Sequence, residues 1–336
     1  MYPHSRDDFT IAIICALTLE AEAVEELFDE TYDRLSAKYG KHPQDHNAYM
    51  NGRLGKHDVV LCYLPEMGTR SAASMASSLR FSYKNIQIAL VVGICGGVPQ
   101  PSNSVEIFLG DVLISDSIIE YDFGKQYPRG FQRKTDAKDI LGRPNQEIRS
   151  ILAGLKAKRL RIAFQAQMSQ HVHKIQQVDN RWKHPQLDDV LYSASYPHQH
   201  YDIAPANTPH YPHSNPSYES CWEPCHIAGC DENQIVRRRH CREARSPLIH
   251  IGAIASASSV MKSGEHRDKL VQNERVIGFE MEAAGVWDSL PCIIIKGICD
   301  YADSHKNDSW QAYAAATGAA AAKTFLHYWR SVGQRG

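Results

Sequence analysis

The chain has no run of about 18 consecutive apolar residues, the length a membrane-crossing helix requires. It also lacks an excess of either charge: 37 Lys and Arg face 38 Asp and Glu, a formal net charge of −1 at pH 7. That balance excludes a generally basic surface of the kind that nucleic acid or anionic lipid recruits. The opening residues, Met1-Tyr2-Pro3-His4-Ser5-Arg6-Asp7-Asp8, lack the basic-then-apolar order of a secretory leader. A disulfide framework is missing too. The nine cysteines are odd in number, and Cys15, Cys62, Cys95, Cys292 and Cys299 sit in apolar runs, which suits buried free thiols in a reducing compartment. A cytoplasmic protein with neither nucleic-acid nor membrane partners is therefore expected. What the chain does have is apolar material, 43% of residues, enough for one large domain or two smaller ones.

Short apolar runs alternate with amphipathic stretches. Residues 10–16, 58–63, 88–93, 111–116 and 249–256 read as strands, and residues 19–28 and 69–81 as helices. A long Ala-rich helix is expected over about 310–329. Strands separated by helices predict an α/β domain with a sheet covered on both faces. Residues 165–246, rich in His, Pro, Asn and Ser, break the pattern and read as an insertion.

The strongest candidate chemistry lies in Gly278-Phe279-Glu280-Met281-Glu282-Ala283-Ala284-Gly285 and in the apolar run Cys292–Cys299 that ends at Asp300. The first reads as a strand-to-helix turn, the second as a buried strand whose end presents a carboxylate. Ligands of open α/β sheets bind beyond the carboxyl ends of strands, so Glu282 and Asp300 could face one small molecule. Asp300 in a desolvated cleft could serve as a general acid, or simply cap the next turn. Glu282 and Glu20 have an equally ordinary explanation, since acidic residues suit the first turn of a helix. Lys296 interrupts an apolar strand, and a buried lysine needs a partner, which makes it a candidate substrate-binding residue. The Gly93-Ile94-Cys95-Gly96-Gly97 stretch reads as a sharp turn, and without a following Lys-Ser/Thr it is not a phosphate loop. Cys221, Cys225, Cys230 and Cys241, with His226 and His240 near them, match no standard zinc spacing; free thiols are expected, with structural zinc the alternative.

These segments resemble the nucleoside phosphorylase superfamily, specifically the fungal branch found as the N-terminal domain of NOD-like receptor proteins. The likeness rests on residues 11–22 (IAIICALTLEAE), 90–98 (LVVGICGGV), 110–123 (GDVLISDSIIEYDF) and 249–306. It implies a three-layer fold with a central mixed sheet, in one domain spanning about 9–331. It further implies that Asp300 protonates the imidazole ring of a leaving purine and that Glu282 binds the ribose hydroxyls. Met281 would pack under the sugar, and Glu20 would activate water as in the methylthioadenosine/S-adenosylhomocysteine nucleosidases. Cys95 and Gly96 would lie beside sugar and base, Val260 and Met261 near the purine. No cofactor is implied, and a homo-oligomer is.

Phosphorylases of this superfamily hold phosphate with an arginine before the glycine turn and a Gly-Asp-Pro loop after the first strand. Val91 and Ala16-Leu17-Thr18-Leu19 stand at those places, and Glu20 would repel an oxyanion. Hydrolysis is thus expected, with phosphorolysis as the enzymatic alternative and a non-catalytic nucleotide-binding signalling module as the other. The resemblance admits ATP as a substrate; Arg70, Lys262 and Arg267, together with Lys125 and Lys306, are candidate phosphate ligands or ordinary surface charge. Ala257-Ser258 replaces a Gly-Asp common in the nucleosidases, which weakens any transfer of base specificity.

Overall fold

A computed structural model describes residues 2–101, 106–128, 130–136, 140–198, 225–238 and 246–330. The first half contains β1 (Ile11–Cys15), α1 (Thr18–Glu25), β2 (Glu30–Arg34), β3 (Ala48–Leu54), β4 (His57–Tyr63), α2 (Thr69–Ser82), β5 (Ile88–Gly97) and β6 (Val112–Glu120). A small hairpin, β7 (Gly124–Tyr127) and β8 (Gly130–Arg133), precedes α3 (Gln146–Lys156), α4 (Lys158–Val178) and α5 (Cys225–Ala228). The chain continues through β9 (Ile249–Ser256), α6 (Gly264–Glu274), β10 (Gly278–Glu280), α7 (Ala283–Trp287), β11 (Cys292–Asp300) and α8 (Gln311–Tyr328).

Nine strands form one sheet in the order β10-β9-β6-β11-β5-β1-β4-β3-β2. β10 also pairs with β5, so five of the strands close on themselves while the β1-β4-β3-β2 side stays open. The sheet is mixed: β5 runs parallel to β1 and β11, whereas β6 and β3 run antiparallel to β11 and β4. This is the expected three-layer α/β architecture. Strand alternation explains the layers. Ile11, Ile13 and Cys15 enter a core shared with α1, α3, α4 and α8, while Ala12 and Ile14 enter a second core shared with α2 and α7.

Two sequence expectations need correction. The insertion does not begin at 165, because α4 runs to Val178 and buries Phe164, Met168, Val172 and Ile175. That stripe, at helical spacing, packs α4 on α8. Residues 179–198 and 225–238 also have described structure, including a bridge between Tyr192 and Ile235. Second, Gly93–Gly97 is not a turn. It is the last part of β5, pairing with β11 on one side and, through Gly96 and Gly97, with β10 on the other.

Candidate active site

β1, β5 and β11 are mutually parallel, so their carboxyl ends share one rim. Just past β1, the Glu20 carboxylate folds back: Oε2 accepts from the N–H groups of Ala16 (2.8 Å) and Leu17 (2.9 Å). This is partly the helix-start role that the sequence allowed. The other oxygen reaches across to β5, where Oε1 accepts from the Ile94 N–H at 2.7 Å. A Cβ on Gly93 would lie 1.8 Å from that oxygen, so only glycine admits the carboxylate to the strand.

Glu282 has no helix-start duty. Its side chain makes no capping bond to α7, and Oε2 instead accepts from Lys296 Nζ at 3.0 Å. Glu280 does the capping, accepting from the N–H groups of Glu282 and Ala283 at 3.0–3.1 Å. Lys296 is 1% exposed, with Glu20 Oε1 3.5 Å from its Nζ. Burial works against its charge, but Glu20, Glu282 and Glu280 outweigh it and hold the ammonium well above the usual lysine range.

At the end of β11, Asp300 Oδ1 accepts from the Ala302 N–H at 2.8 Å, and Ala302 takes a left-handed φ of 54°. Asp300 Oδ2 lies 3.2 Å from Lys306 Nζ and accepts from the Cys299 thiol at 3.2 Å. The carboxylate that the sequence placed in a desolvated cleft is thus accompanied by a half-buried cation. Burial opposes the Lys306 charge too, but Asp300 outweighs it and raises that ammonium above its ordinary range. The thiols of Cys95 and Cys299 are pushed far up by burial, which excludes them as thiolate nucleophiles near neutral pH.

Glu20, Glu282 and Asp300 line a single cavity of about 430 Å³, together with Cys95, Gly96, Val260, Met261 and Met281. Lys296, expected as a substrate ligand, is not among the lining residues; its Nζ lies 3.5 Å from Glu20 Oε1 and 3.0 Å from Glu282 Oε2. Among the expected phosphate ligands, Lys262 lines the cavity and Arg70 and Lys125 do not; both of the latter are exposed. Arg267 is buried and committed elsewhere, donating to the Tyr301 carbonyl (2.8 Å) and to Asp268 (2.7 Å). Lys306 lines the cavity already bound to Asp300. Val91 is in the core rather than on the wall, and the β1 end of the cavity is formed by Ala16, Leu17 and Ile94. Cys221, Cys241, His240 and the side chain of His226 lie outside the described residues.

Residues 10–171 match the profile of the family described as Phosphorylase superfamily. That match takes in just under half of the chain. Across 330 residues it is 31% identical to a nucleotide-binding leucine-rich repeat (NLR)-like protein of Hyaloscypha variabilis; the match takes in 95% of this chain and 29% of that relative's length. Among solved structures it resembles futalosine hydrolase of Helicobacter pylori, with a TM-score of 0.55 at 16% identity, covering 97% of this chain and all of that one. It is similar also to the 5'-methylthioadenosine/S-adenosylhomocysteine nucleosidase of H. pylori, with a TM-score of 0.54 at 16% identity over 96% of this chain and 99% of that one. The corresponding nucleosidase of Neisseria meningitidis, in complex with methylthio-immucillin-A, gives 0.55 at 15% identity over 95% and 99%. At such identities the likeness establishes the fold.

Sequence reasoning missed the part that three residues play at this rim. Met67 lines the cavity from the loop before α2. Lys306 is the partner of Asp300, although sequence suggested it only as a phosphate-side charge. Glu280 stands in the quoted motif without an assigned role; its spacing two residues before Glu282 was the available signal. Burial, then the neighbouring Glu282, push the Glu280 carboxyl up to about 7. The ordinary value is 4.5, so the fold favours the protonated form. That stabilisation is fully present below the unfolded value and is lost as pH rises through the folded one. Glu280→Gln should therefore flatten the fall in stability between about pH 5 and 8, by on the order of 3 kcal/mol relative to wild type. Urea unfolding midpoints across that range measure it, and parallel curves for the two proteins would refute the assignment.

Proposed function

We propose that this domain is a purine nucleosidase that cleaves the N-glycosidic bond by attack of water. What supports the reading is one observation: three carboxylates from separate strand ends, Glu20, Glu282 and Asp300, line one cavity of nucleoside size. Cleavage passes through an oxocarbenium-like sugar, which needs a protonated leaving group, nearby negative charge and a nucleophile on the opposite face. Asp300 donates the proton to the purine. The carboxylate it becomes is met by donors already in place, the Lys306 ammonium, the Ala302 N–H and the Cys299 thiol, so little reorganisation accompanies the transfer. Glu282 accepts from the ribose hydroxyls and sets negative charge beside the sugar. Glu20, held by three backbone N–H groups, orients the attacking water and takes the proton that water loses as its oxygen bonds the sugar.

The same geometry disfavours phosphate as the nucleophile. Lys296, near the Glu20 end, is spent on Glu20 and Glu282, and the wall there is Ala16, Leu17 and Ile94. ATP as a substrate loses support with Arg70 and Arg267 absent from the lining, so the reading favours a nucleoside without a phosphate chain. The relative's NLR-like name keeps the nucleotide-sensing alternative in view.

The test is incubation with adenosine, inosine, methylthioadenosine and ATP, with and without phosphate, followed by chromatography of the released base. We expect release from at least one nucleoside at the same rate in both buffers. Release only with phosphate identifies a phosphorylase, and binding without release identifies a sensing module.

A further inference from the structure

Away from the catalytic rim, three soft ligands converge. His198 Nδ1 lies 3.1 Å from Cys230 Sγ and 3.7 Å from Cys225 Sγ, and the three ligand atoms all fall within 4.8 Å of one another. Zinc bonds sulfur at about 2.3 Å and imidazole nitrogen at about 2.0 Å, so a tetrahedral ion separates an N and an S ligand by roughly 3.6 Å. The two observed separations bracket that value. His198 and Cys230 are buried, at 4% and 8% exposure, and Cys225 is half-buried. Local folding explains why the thiols share one side: the Cys230 N–H donates to the Cys225 carbonyl at 3.0 Å, closing the turn after α5.

This part of the molecule is also held by ring and polar contacts: Tyr192 stacks on His305 at 4.2 Å, Arg238 pairs with Asp189 at 3.4 Å, and the Asp231 N–H donates to the Tyr196 hydroxyl at 2.8 Å. Its buried apolar cluster consists of Tyr192, Ala228 and Cys230, separate from the main cores. We infer that His198, Cys225 and Cys230 form a structural zinc site that ties residues 189–198 to residues 225–238. A thiolate–imidazole set of this kind selects zinc over magnesium or calcium, and the three side chains leave one position of the tetrahedron.

The site has a mechanical neighbour. The His198 N–H donates to Ser304 Oγ at 3.0 Å, and Ser304 belongs to the loop that joins Asp300 to Lys306. Cys225 and Cys230 share the wall of a second cavity with Asp300, Asp303 and Lys306. A zinc ion there would brace this loop from behind.

The test uses the full chain purified without chelator from zinc-supplemented medium, with metal content measured by elemental analysis and folding by circular dichroism. Wild type should hold about one zinc per chain. Exchange into cobalt(II) should produce a near-ultraviolet thiolate-to-cobalt charge-transfer band. Cys225→Ser, Cys230→Ser and His198→Gln should each lose most of the zinc, whereas Cys62→Ala, in the sheet core, should keep it. Three results would overturn the inference: folded wild type with neither stoichiometric zinc nor the band, zinc retained undiminished in Cys230→Ser, or a Cys225–Cys230 disulfide found by mass spectrometry in the wild-type chain. The wild-type measurements decide the matter even where a variant fails to fold.

Discussion

Asp300→Asn is expected to slow base release by about 10²- to 10⁴-fold, the usual contribution of a positioned general acid. Asparagine retains an oxygen for the Ala302 N–H, so the left-handed turn at Ala302 should survive, although Lys306 loses its counter-charge. The loss should depend on the leaving group. A nucleoside whose purine already carries a methyl group and a positive charge on its imidazole ring departs without needing a proton. On that substrate the variant should lose far less, so comparing kcat for the two substrates separates acid catalysis from a general disturbance of the site. Undiminished turnover of an ordinary purine nucleoside by Asp300→Asn would remove the acid assignment.

The largest effect on stability is expected at Lys296. Its Nζ is the cation between Glu20 and Glu282, and all three side chains are buried. Lys296→Met leaves these carboxylates with no cation between them, and breaking a buried pair in this way costs about 3–5 kcal/mol. Chemical denaturation should register that loss as a lower midpoint, smaller in mild acid where the stranded carboxyls can take up protons. Adding Glu282→Gln to Lys296→Met should recover part of it, because one uncompensated charge is gone. A double variant no more stable than the Lys296→Met single would mean that the lysine acts through packing rather than charge.

Strand periodicity and strand ends were legible in the sequence, and the rim follows from them. β1, β5 and β11 are apolar runs buried on both faces, and Glu20 and Asp300 come just after or at the ends of two of them. Other parts were hidden for identifiable reasons. The buried stripe of α4 is masked by the Gln, His and Lys residues around it. β2 is a mostly polar edge strand, since only one side of it pairs. Charges were the hardest to place. Arg267, Lys296 and Lys306 look alike in a sequence, yet one is bound to a backbone carbonyl, one lies beneath two glutamates and one pairs with Asp300. Glu280 and Glu282 are two residues apart, and only the fold makes one a capping group and the other a partner of lysine. His198 and its two cysteines are separated by 27 and 32 residues, beyond any local spacing rule.

The claim that Glu20, Glu282 and Asp300 deliver water to a sugar is tested most directly by following the oxygen. The protein would be incubated in water enriched in heavy oxygen, with inorganic phosphate present and a nucleoside that it turns over. Mass spectrometry then reads the sugar product. The account predicts free sugar, made at the rate of base release, carrying heavy oxygen at its anomeric carbon. Sugar 1-phosphate as the product, or no sugar product from any purine nucleoside, would contradict it.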